Sequence, residues 1–293
     1  HTALILGLTL AATAPAPLNA RPASTTATSI PFDVQHDRLF IDTQVNGRPV
    51  RALLDSAAEL SVLDAKTALA LGIGGDKAQE VKGSGGTLEG TMADGVKVSA
   101  GPYRLAPQTV MIADLSDISR RLNGGKPIAL ILGRPFFDAR RWTIDFVAQR
   151  VSPASPVGRP AGQRLPLKTV HGIETMPVTI EGHAPAQAAF DLGNGSGVLI
   201  GKAYAARIGL NAPSRITGVT KGGGLGGAIA RQQIVLRTLT VAGHVFRDVP
   251  AAIDPTDNAE DVNIGTDILR HFRITTDYPG HAVWLAPQPR DRR

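Results

Sequence analysis

Short apolar stretches separated by glycine, proline and asparagine dominate the chain, and long helical periodicity is rare. Residues 38–45 form a strand-like segment with the apolar run Leu-Phe-Ile, turn at Asn46-Gly47 and continue as a second segment that ends in Leu-Leu before Asp55. Asn-Gly between two such runs is typical of a β-hairpin. The pattern therefore predicts an all-β protein built from short strands and tight turns.

The same plan occurs a second time in residues 176–191, with its turn at Glu181-Gly182. After each terminal Asp, a Val-Leu pair, a short Ala-rich helical segment and a glycine follow, in 55–72 and again in 191–209. Each copy then continues with a Gly-rich stretch, an apolar strand that stops at a glycine, and a final strand. So many landmarks in the same order argue against coincidence, and the chain is predicted to consist of two related halves.

The later landmarks complete the two halves. The apolar strands stop at Gly133 and Gly265, and the final strands are expected at 142–146 and 282–286. The second Gly-rich stretch also fits the spacing G-x-G-x-x-G over 222–227. A dinucleotide-binding loop needs a helix after it, whereas the residues that follow are rich in Ile, Val and Thr and predict a strand. A hairpin is the better interpretation.

An apolar run near the N-terminus, without a charge in residues 3–14, is too short to span a bilayer and fits the hydrophobic part of a secretory signal. A buried terminal strand or helix is the alternative. We expect a periplasmic or secreted protein with no stable membrane span. The predicted boundaries are a truncated signal peptide (1–20), a linker (21–31), an N-terminal lobe (32–150), an interlobe linker (151–164), a C-terminal lobe (165–287) and a tail (288–293).

Composition narrows the functions that are possible. Of the 293 residues 43% are hydrophobic and 19% charged, which is enough for a sizeable core. The chain has no cysteine, which excludes thiol catalysis, disulfides and zinc sites of the cysteine type. Aromatic residues make up 4%, and the net charge of +6 is scattered, so nucleic-acid binding is not expected. The seven histidines lack metal-ligand spacing, and no metal or cofactor is expected.

The residues around the repeated Asp resemble the retropepsin-like aspartic proteases. In that family Asp-Thr/Ser-Gly-Ala is followed much later by Ile-Ile/Leu-Gly. The sequences LLDSAA (53–58) and ILGR (131–134) match this pattern well, and AFDLGN (189–194) with NIG (263–265) matches it less closely. Two such lobes in one chain are similar to the bilobal, pepsin-like arrangement. The resemblance implies two retropepsin-like β-barrel lobes, each with a short helix, and an active site between them.

This resemblance implies that Asp55 and Asp191 form a catalytic dyad that hydrolyses peptide bonds through an activated water. Two facing carboxylates can act as base and acid if one is ionised and the other protonated. At about 3 Å and an effective dielectric near 20, two charges would repel by about 5 kcal/mol, so one proton is retained. Ser56, Gly193 and Asn194 are the expected supporting residues, and Gly193 would permit close backbone approach.

The Gly-rich stretches correspond by resemblance to flaps that close over the substrate. The candidate flap residues are Gly83, Ser84, Gly85 and Gly86 in the first half and Gly222, Gly223 and Gly224 in the second. Gly133 and Gly265 would lie behind the two Asp loops, where a side chain has no room. The expected partner is an extended peptide or protein substrate, with hydrophobic side chains preferred next to the dyad, and the protein is expected to be a monomer.

Two positions depart from the family pattern. Ala57 replaces the usual glycine, and Leu192 replaces the Thr or Ser whose hydroxyl reaches the other lobe in the family. Two alternatives to an active endopeptidase therefore stay open. One is a weak or inactive homologue that acts as a peptide-binding module, and the other is a dimer that works through Asp55 alone.

Overall fold

The structure, a computed structural model, describes residues 28–257 and 260–288. The predicted signal peptide (1–20), most of the linker 21–31 and most of the tail 288–293 lie outside the described residues. In the part that is described, no helix is long and apolar enough to cross a membrane.

The first half of the described chain is mainly β-structure. Its strands are β1 (Ile30–Gln35), β2 (Arg38–Val45), β3 (Arg48–Leu54), β4 (Ser61–Asp64), β5 (Lys77–Gly83), β6 (Gly86–Val96), β7 (Val98–Ala100), β8 (Tyr103–Arg104), β9 (Gln108–Ala113), β10 (Leu130–Leu132), β11 (Trp142–Asp145) and β12 (Arg150–Pro153). Its helices are α1 (Ala65–Leu71), α2 (Ser116–Leu122) and α3 (Arg134–Asp138).

The second half repeats this arrangement with fewer helices. Its strands are β13 (Gln163–Pro166), β14 (Lys168–Val170), β15 (Ile173–Ile180), β16 (Ala186–Phe190), β17 (Val198–Gly201), β18 (Ile216–Gly222), β19 (Ile229–Val241), β20 (His244–Asp254), β21 (Val262–Ile264), β22 (Phe272–Asp277) and β23 (Ala282–Pro287). Its helices are α4 (Lys202–Arg207) and α5 (Thr266–Leu269), with a 3-10 turn at Pro213–Arg215. The predicted two-lobed all-β fold is confirmed.

Helices α1 and α4 are the short helices that the sequence predicted after each Asp. The Asp64 side chain accepts a hydrogen bond from the Thr67 N–H and caps α1, which ends at Gly72 with φ of 68°. The expectation of one helix in each lobe was incomplete, because α2, α3 and α5 are also present. These are four to seven residues long, which is too short for a helical period to show in the sequence.

The two halves share one core topology around the repeated Asp. The strand before the Asp pairs in parallel with the strand that ends at a glycine: Leu54 lies opposite Leu132 in β3 and β10, and Phe190 opposite Ile264 in β16 and β21. A third strand, β4 or β17, then pairs antiparallel with β10 or β21.

Register along these third strands corrects the repeat alignment. Val62 lies opposite Ile131 in the first lobe, and Leu199 lies opposite Asn263 in the second. Leu199 is therefore the equivalent of Val62, although the Val-Leu pairs that follow each Asp in the sequence (Val62-Leu63 and Val198-Leu199) would match Val62 with Val198. The loop after Asp191 holds the one extra residue.

A six-stranded antiparallel sheet, in the order β13-β23-β22-β11-β12-β1, joins the lobes. At its centre Thr143 lies opposite Thr275, and the two hydroxyl oxygens are 3.1 Å apart. The equivalent of the strand expected at 142–146 is thus β22, and the expectation that it matched 282–286 was wrong. The sequences of β22 and β23 are too short to show which of the two strands pairs with β11 of the other lobe.

The segment 151–164, expected as an interlobe linker, contributes to this sheet at both ends. Val151 in β12 is buried and lies opposite Ile30 and Ile144, and β13 pairs with β23. Residues 154–162 connect the two strands. The lobe boundaries themselves stay predictions.

Aromatic packing also ties the lobes together. Phe136 stacks on Trp142 with ring centroids 4.5 Å apart, and Phe137 stacks on Tyr278 from the second half at 5.1 Å. All four rings are buried within one hydrophobic core that contains residues of both lobes. Burial of this surface away from water is the main stabilising contribution and requires both halves to be folded.

A second apolar cluster lies on the other face of the first lobe's sheet. It is covered by α2, and its main members are Phe40, Leu53, Val62, Met111, Ile118 and Ile131. Ala58, from the loop that follows Asp55, packs against its edge. We call this set the apolar face of lobe one.

Candidate active site

Asp55 and Asp191 each follow directly on a buried strand of their own lobe. The Asp55 N–H donates to the Leu132 carbonyl at 3.0 Å, and the Asp191 N–H donates to the Ile264 carbonyl at 3.1 Å. These bonds continue the parallel pairing by one residue beyond each strand. Both aspartates are thereby fixed at the same place in the two lobes.

The structure brings the two aspartates together at the junction of the lobes. Gly193 lies so close to the Asp55 carboxyl group that a methyl group on Gly193 would overlap it. The Gly193 N–H in turn donates to Oδ1 of Asp191 at 2.9 Å. The loop that carries one carboxylate therefore contacts the other carboxylate, and glycine is needed for that approach.

Burial governs the protonation of this pair. The pKa of Asp55 is raised to about 7, mainly because the carboxyl group is removed from water and also because the negative charge of Asp191 is close. Hydrogen bonds from the N–H groups of Ala57 and Ala58 lower this pKa and oppose part of the rise. The pKa of Asp191 is raised as well, mainly by burial. Because each charge also disfavours the other, the pair holds one proton through the weakly acidic range.

Hydrogen bonding to the two carboxylates is unequal. Oδ1 of Asp191 accepts the N–H groups of Gly193 at 2.9 Å and Asn194 at 3.0 Å, and Oδ2 accepts Nδ2 of Asn263 at 2.7 Å. Oδ1 of Asp55 accepts the N–H two residues further along its own turn at 2.9 Å. Hydrogen bonds of this kind favour the ionised form, and they lower the pKa of Asp191 against the effect of burial.

Ser56 links the lobes beneath the dyad. Its hydroxyl donates to the Phe190 carbonyl at 2.8 Å and accepts the Leu192 N–H at 2.9 Å. The Tyr278 hydroxyl donates to the Ser56 carbonyl at 3.0 Å. The Leu192 side chain is buried in the core and has no hydroxyl, so it cannot form the equivalent hydrogen bonds to the first lobe. The hydroxyl that bonds in this way from the loop after an Asp therefore comes from Ser56, in the first lobe; we call its two hydrogen bonds the Ser56 clasp.

Gly133 and Gly265 lie directly behind the two Asp loops. A methyl group on Gly133 would lie 2.6 Å from the carbonyl oxygens of Ala58 and Leu60, and one on Gly265 would lie 2.6 Å from that of Asn194. Both distances are well inside van der Waals contact. Each glycine therefore allows its strand to pass against the loop that follows the aspartate.

The candidate flap residues lie at the tips of two β-hairpins. The first flap is formed by β5 and β6 with its turn at Ser84-Gly85, and the second by β18 and β19, with residues 223–228 between them. The tips touch, since the Gly85 N–H donates to the Leu225 carbonyl at 2.8 Å. A methyl group on Gly85 would lie 2.9 Å from the Gly224 carbonyl oxygen, so glycine permits this contact.

Two arginines hold the flaps in this closed arrangement. Arg121 of α2 donates to the Gly223 carbonyl at 3.2 Å and the Gly224 carbonyl at 2.8 Å. Arg231, at the start of β19, donates to the Ser84 carbonyl at 3.3 Å and is paired with buried Asp254 at 2.6 Å. Each arginine thus connects a flap to the opposite lobe.

Sequence analysis missed two residues that contact the dyad loops. Arg38, at the start of β2, donates from Nε to the Gly193 carbonyl at 3.0 Å, and both Asp55 and Asp191 attract its charge. Asn263 is the second, and it interrupts the apolar strand that ends at Gly265. A polar residue inside an apolar strand was the signal that could have identified it.

Among the described residues, no group of three or more His, Asp or Glu side chains has a geometry that could hold a metal ion. The site offers carboxylates, amides and backbone N–H groups, which suit proton transfer to and from a bound water.

Comparison with known families agrees with this geometry. A family model described as aspartyl protease matches residues 41–136 and, separately, residues 176–268. The chain belongs to the aspartyl protease family. Each of the two matches contains one of the paired aspartates, so this aspartyl protease carries the family's unit twice. Membership supports a general aspartic protease function. No curated protein was found to match the chain.

Proposed function

We propose that this aspartyl protease is an endopeptidase whose catalytic residues are Asp55 and Asp191. The observation that carries the proposal is the contact between the lobes: the Asp55 carboxyl group lies against Gly193, whose N–H is bonded to Asp191. Two carboxyl groups from two lobes thereby occupy one partly buried site with raised pKa values. Such a pair supplies a base and an acid at the same pH.

The unequal hydrogen bonding supports different roles for the two aspartates. Asp191, which accepts more donors, is the ionised member, and Asp55 carries the proton. A water between them loses its proton to Asp191 as its oxygen attacks the peptide carbonyl carbon, and Asp55 gives its proton to the carbonyl oxygen. The tetrahedral intermediate, a gem-diol, then breaks its C–N bond as the nitrogen takes the proton from Asp191 and one hydroxyl returns its proton to Asp55, which restores the singly protonated pair. No acyl-enzyme forms.

The substrate is an extended peptide that lies between the dyad and the flaps. Because the flap tips touch in this structure, they must separate before a peptide enters and can close again to exclude water. The apolar face of lobe one lies beside the Asp55 loop and under the first flap, whose Val81 and Leu88 pack against it. This arrangement favours a hydrophobic side chain next to the scissile bond.

The test is cleavage of an unfolded protein between pH 3 and pH 7 by the wild type, Asp55→Asn and Asp191→Asn. Each variant should lose about 10²–10⁴-fold in rate, which is the range for a lost general acid or base. Asp267→Asn is the control, because Asp267 is an acidic residue outside the dyad that pairs with Arg270. Unchanged turnover in either dyad variant contradicts the proposal.

A peptide-binding module is the second candidate, favoured by the buried Leu192 side chain in place of a clasping hydroxyl. Binding of the unfolded protein without turnover at any pH would establish it. Activity that survives in Asp191→Asn and rises with the square of concentration would instead indicate a dimer acting through Asp55. We also propose that the protein works in the periplasm or outside the cell, as its apolar N-terminal run suggests.

A further inference from the structure

Asn263 occupies an unusual place for an amide side chain. It lies in β21 between Val262 and Ile264, which are both fully buried. Its Nδ2 donates to Oδ2 of Asp191 at 2.7 Å. The bond is directed at the carboxylate oxygen that the backbone N–H groups of the Asp191 loop leave available, since those groups bond to Oδ1.

The orientation of this amide is fixed by a chain of hydrogen bonds that starts at a backbone donor. The Ser196 N–H donates to Oδ1 of Asn194 at 2.9 Å, so that oxygen must face Ser196. The Asn194 Nδ2 is then directed at Oδ1 of Asn263, at 2.8 Å. Asn263 must therefore present its NH₂ group, and not its oxygen, to Asp191.

The equivalent position in the first lobe cannot make this bond. Strand register places Asn263 opposite Ala189 and Leu199, and it places Ile131 opposite Leu53 and Val62 in the same way. Isoleucine has no donor, and Ile131 belongs to the apolar face of lobe one. One carboxylate of the dyad thus has a side-chain amide donor at this place and the other has an aliphatic side chain.

The other charged groups near the dyad are unchanged when Asn263 is replaced. The charge of Arg38 in β2 lowers the pKa of both Asp55 and Asp191 and therefore favours a negative pair. Tyr278 faces the Asp55 side, and burial raises its pKa well above the ordinary value, so it stays neutral. Asp37 lies further out beside Arg38 and likewise acts through it.

We propose that Asn263 is a positioning residue that keeps the negative charge of the dyad on Asp191 and leaves the shared proton on Asp55. The proposal rests on the proposed peptidase function for its catalytic meaning, but charge placement can be measured without turnover. A hydrogen bond to a charged group strongly favours the ionised form. Replacing the amide with the aliphatic residue of the first lobe should therefore make Asp191 harder to ionise.

The first experiment measures unfolding by urea for the wild type and Asn263→Ile between pH 3 and pH 6.5. If the substitution raises the pKa of Asp191 in the folded state, the folded protein keeps a proton that the unfolded chain has already released. The free energy of unfolding of the variant therefore falls as pH increases. The folding equilibrium constant of the variant should fall relative to wild type by about tenfold or more across this range, which corresponds to at least about one unit of pKa. A difference that is constant with pH overturns the proposal.

The control is Leu199→Ile, which changes packing directly opposite Asn263 without removing a donor. Its stability difference from wild type should not depend on pH. If Asn263→Ile does not fold, Asn263→Ala removes the same donor without adding bulk, and the same pH dependence is expected. A pH-independent difference in that variant also overturns the proposal.

The second experiment measures the pH profile of kcat/KM for the same variants. The acid limb, which reports formation of the singly ionised dyad, should move up by about one to two pH units in Asn263→Ile and stay in place in Leu199→Ile. An unmoved acid limb in an active variant contradicts the proposal. If the wild type shows no turnover while the unfolding difference still depends on pH, the peptidase function fails and the charge placement stands.

Discussion

The two lobes contribute different polar side chains to the active site, so the site is not symmetric. Ser56 bonds across the lobes where Leu192 cannot, and Asn263 contacts Asp191 where Ile131 offers no donor. The aspartates and Ser56 could be found from sequence because they fall at strand ends in a repeated pattern. Asn263 could not be assigned a role from sequence, since its partner lies 72 residues away along the chain and depends on strand register.

Ser56→Ala should destabilise the protein by about 1–3 kcal/mol, because the Phe190 carbonyl and the Leu192 N–H would both be left buried without their partner. Urea unfolding at one pH measures the change. Ser155→Ala, at an exposed position in the 154–162 connection, is the matched control and should change stability by less than about 0.5 kcal/mol. Equal stability of the two variants would show that the Ser56 clasp contributes nothing.

At the scale of elements, turn residues between short apolar runs predicted the hairpins, and a segment rich in Ile, Val and Thr predicted the strand after the second Gly-rich stretch. It did not predict α2, because seven residues are too few to show a helical period. This omission matters for function, since α2 covers the apolar face of lobe one and carries Arg121. The arginine contacts that hold the flap tips were also beyond the sequence, because they join residues about 100 to 150 positions apart.

Arg121→Ala should loosen the second flap. Two carbonyl bonds are lost, and each is worth about 0.5–1.5 kcal/mol, so backbone hydrogen exchange at residues 222–229 should accelerate by about 5-fold to about 150-fold. Arg120→Ala is the control, because Arg120 pairs with the same Asp117 and no hydrogen bond joins it to a described flap residue. Equal exchange in both variants would mean that Arg121 does not hold the flap.

For the whole molecule, the sequence predicted two related halves but not how they join. The joining sheet pairs β11 with β22, and the repeat alone had matched 142–146 with the wrong strand. Its centre lies at Thr143 and Thr275, where each half supplies an equivalent strand. A single hydrophobic core that includes residues of both halves makes the position of one dyad loop depend on the folding of the other lobe.

We therefore expect the two halves to unfold together. Trp142 reports on β11 and Trp284 on β23, and these are the two tryptophans of the chain. In Trp142→Phe and in Trp284→Phe, the fluorescence of the remaining tryptophan should show the same urea midpoint as the circular dichroism of that variant. Separate midpoints in either variant would show that the lobes fold independently.

The protonation of the dyad is the most direct measure of whether two carboxyl groups from two lobes form one site. With Asp labelled by ¹³C at Cγ, the chemical shifts of Asp55 and Asp191 should each change in two steps, one for each proton that the pair loses. The later step should occur near pH 7, because burial and the charge of Asp191 raise the pKa of Asp55 to about 7. Asp191→Asn should abolish the shared response. Two independent titrations near the ordinary Asp value of about 3.9 would contradict the account.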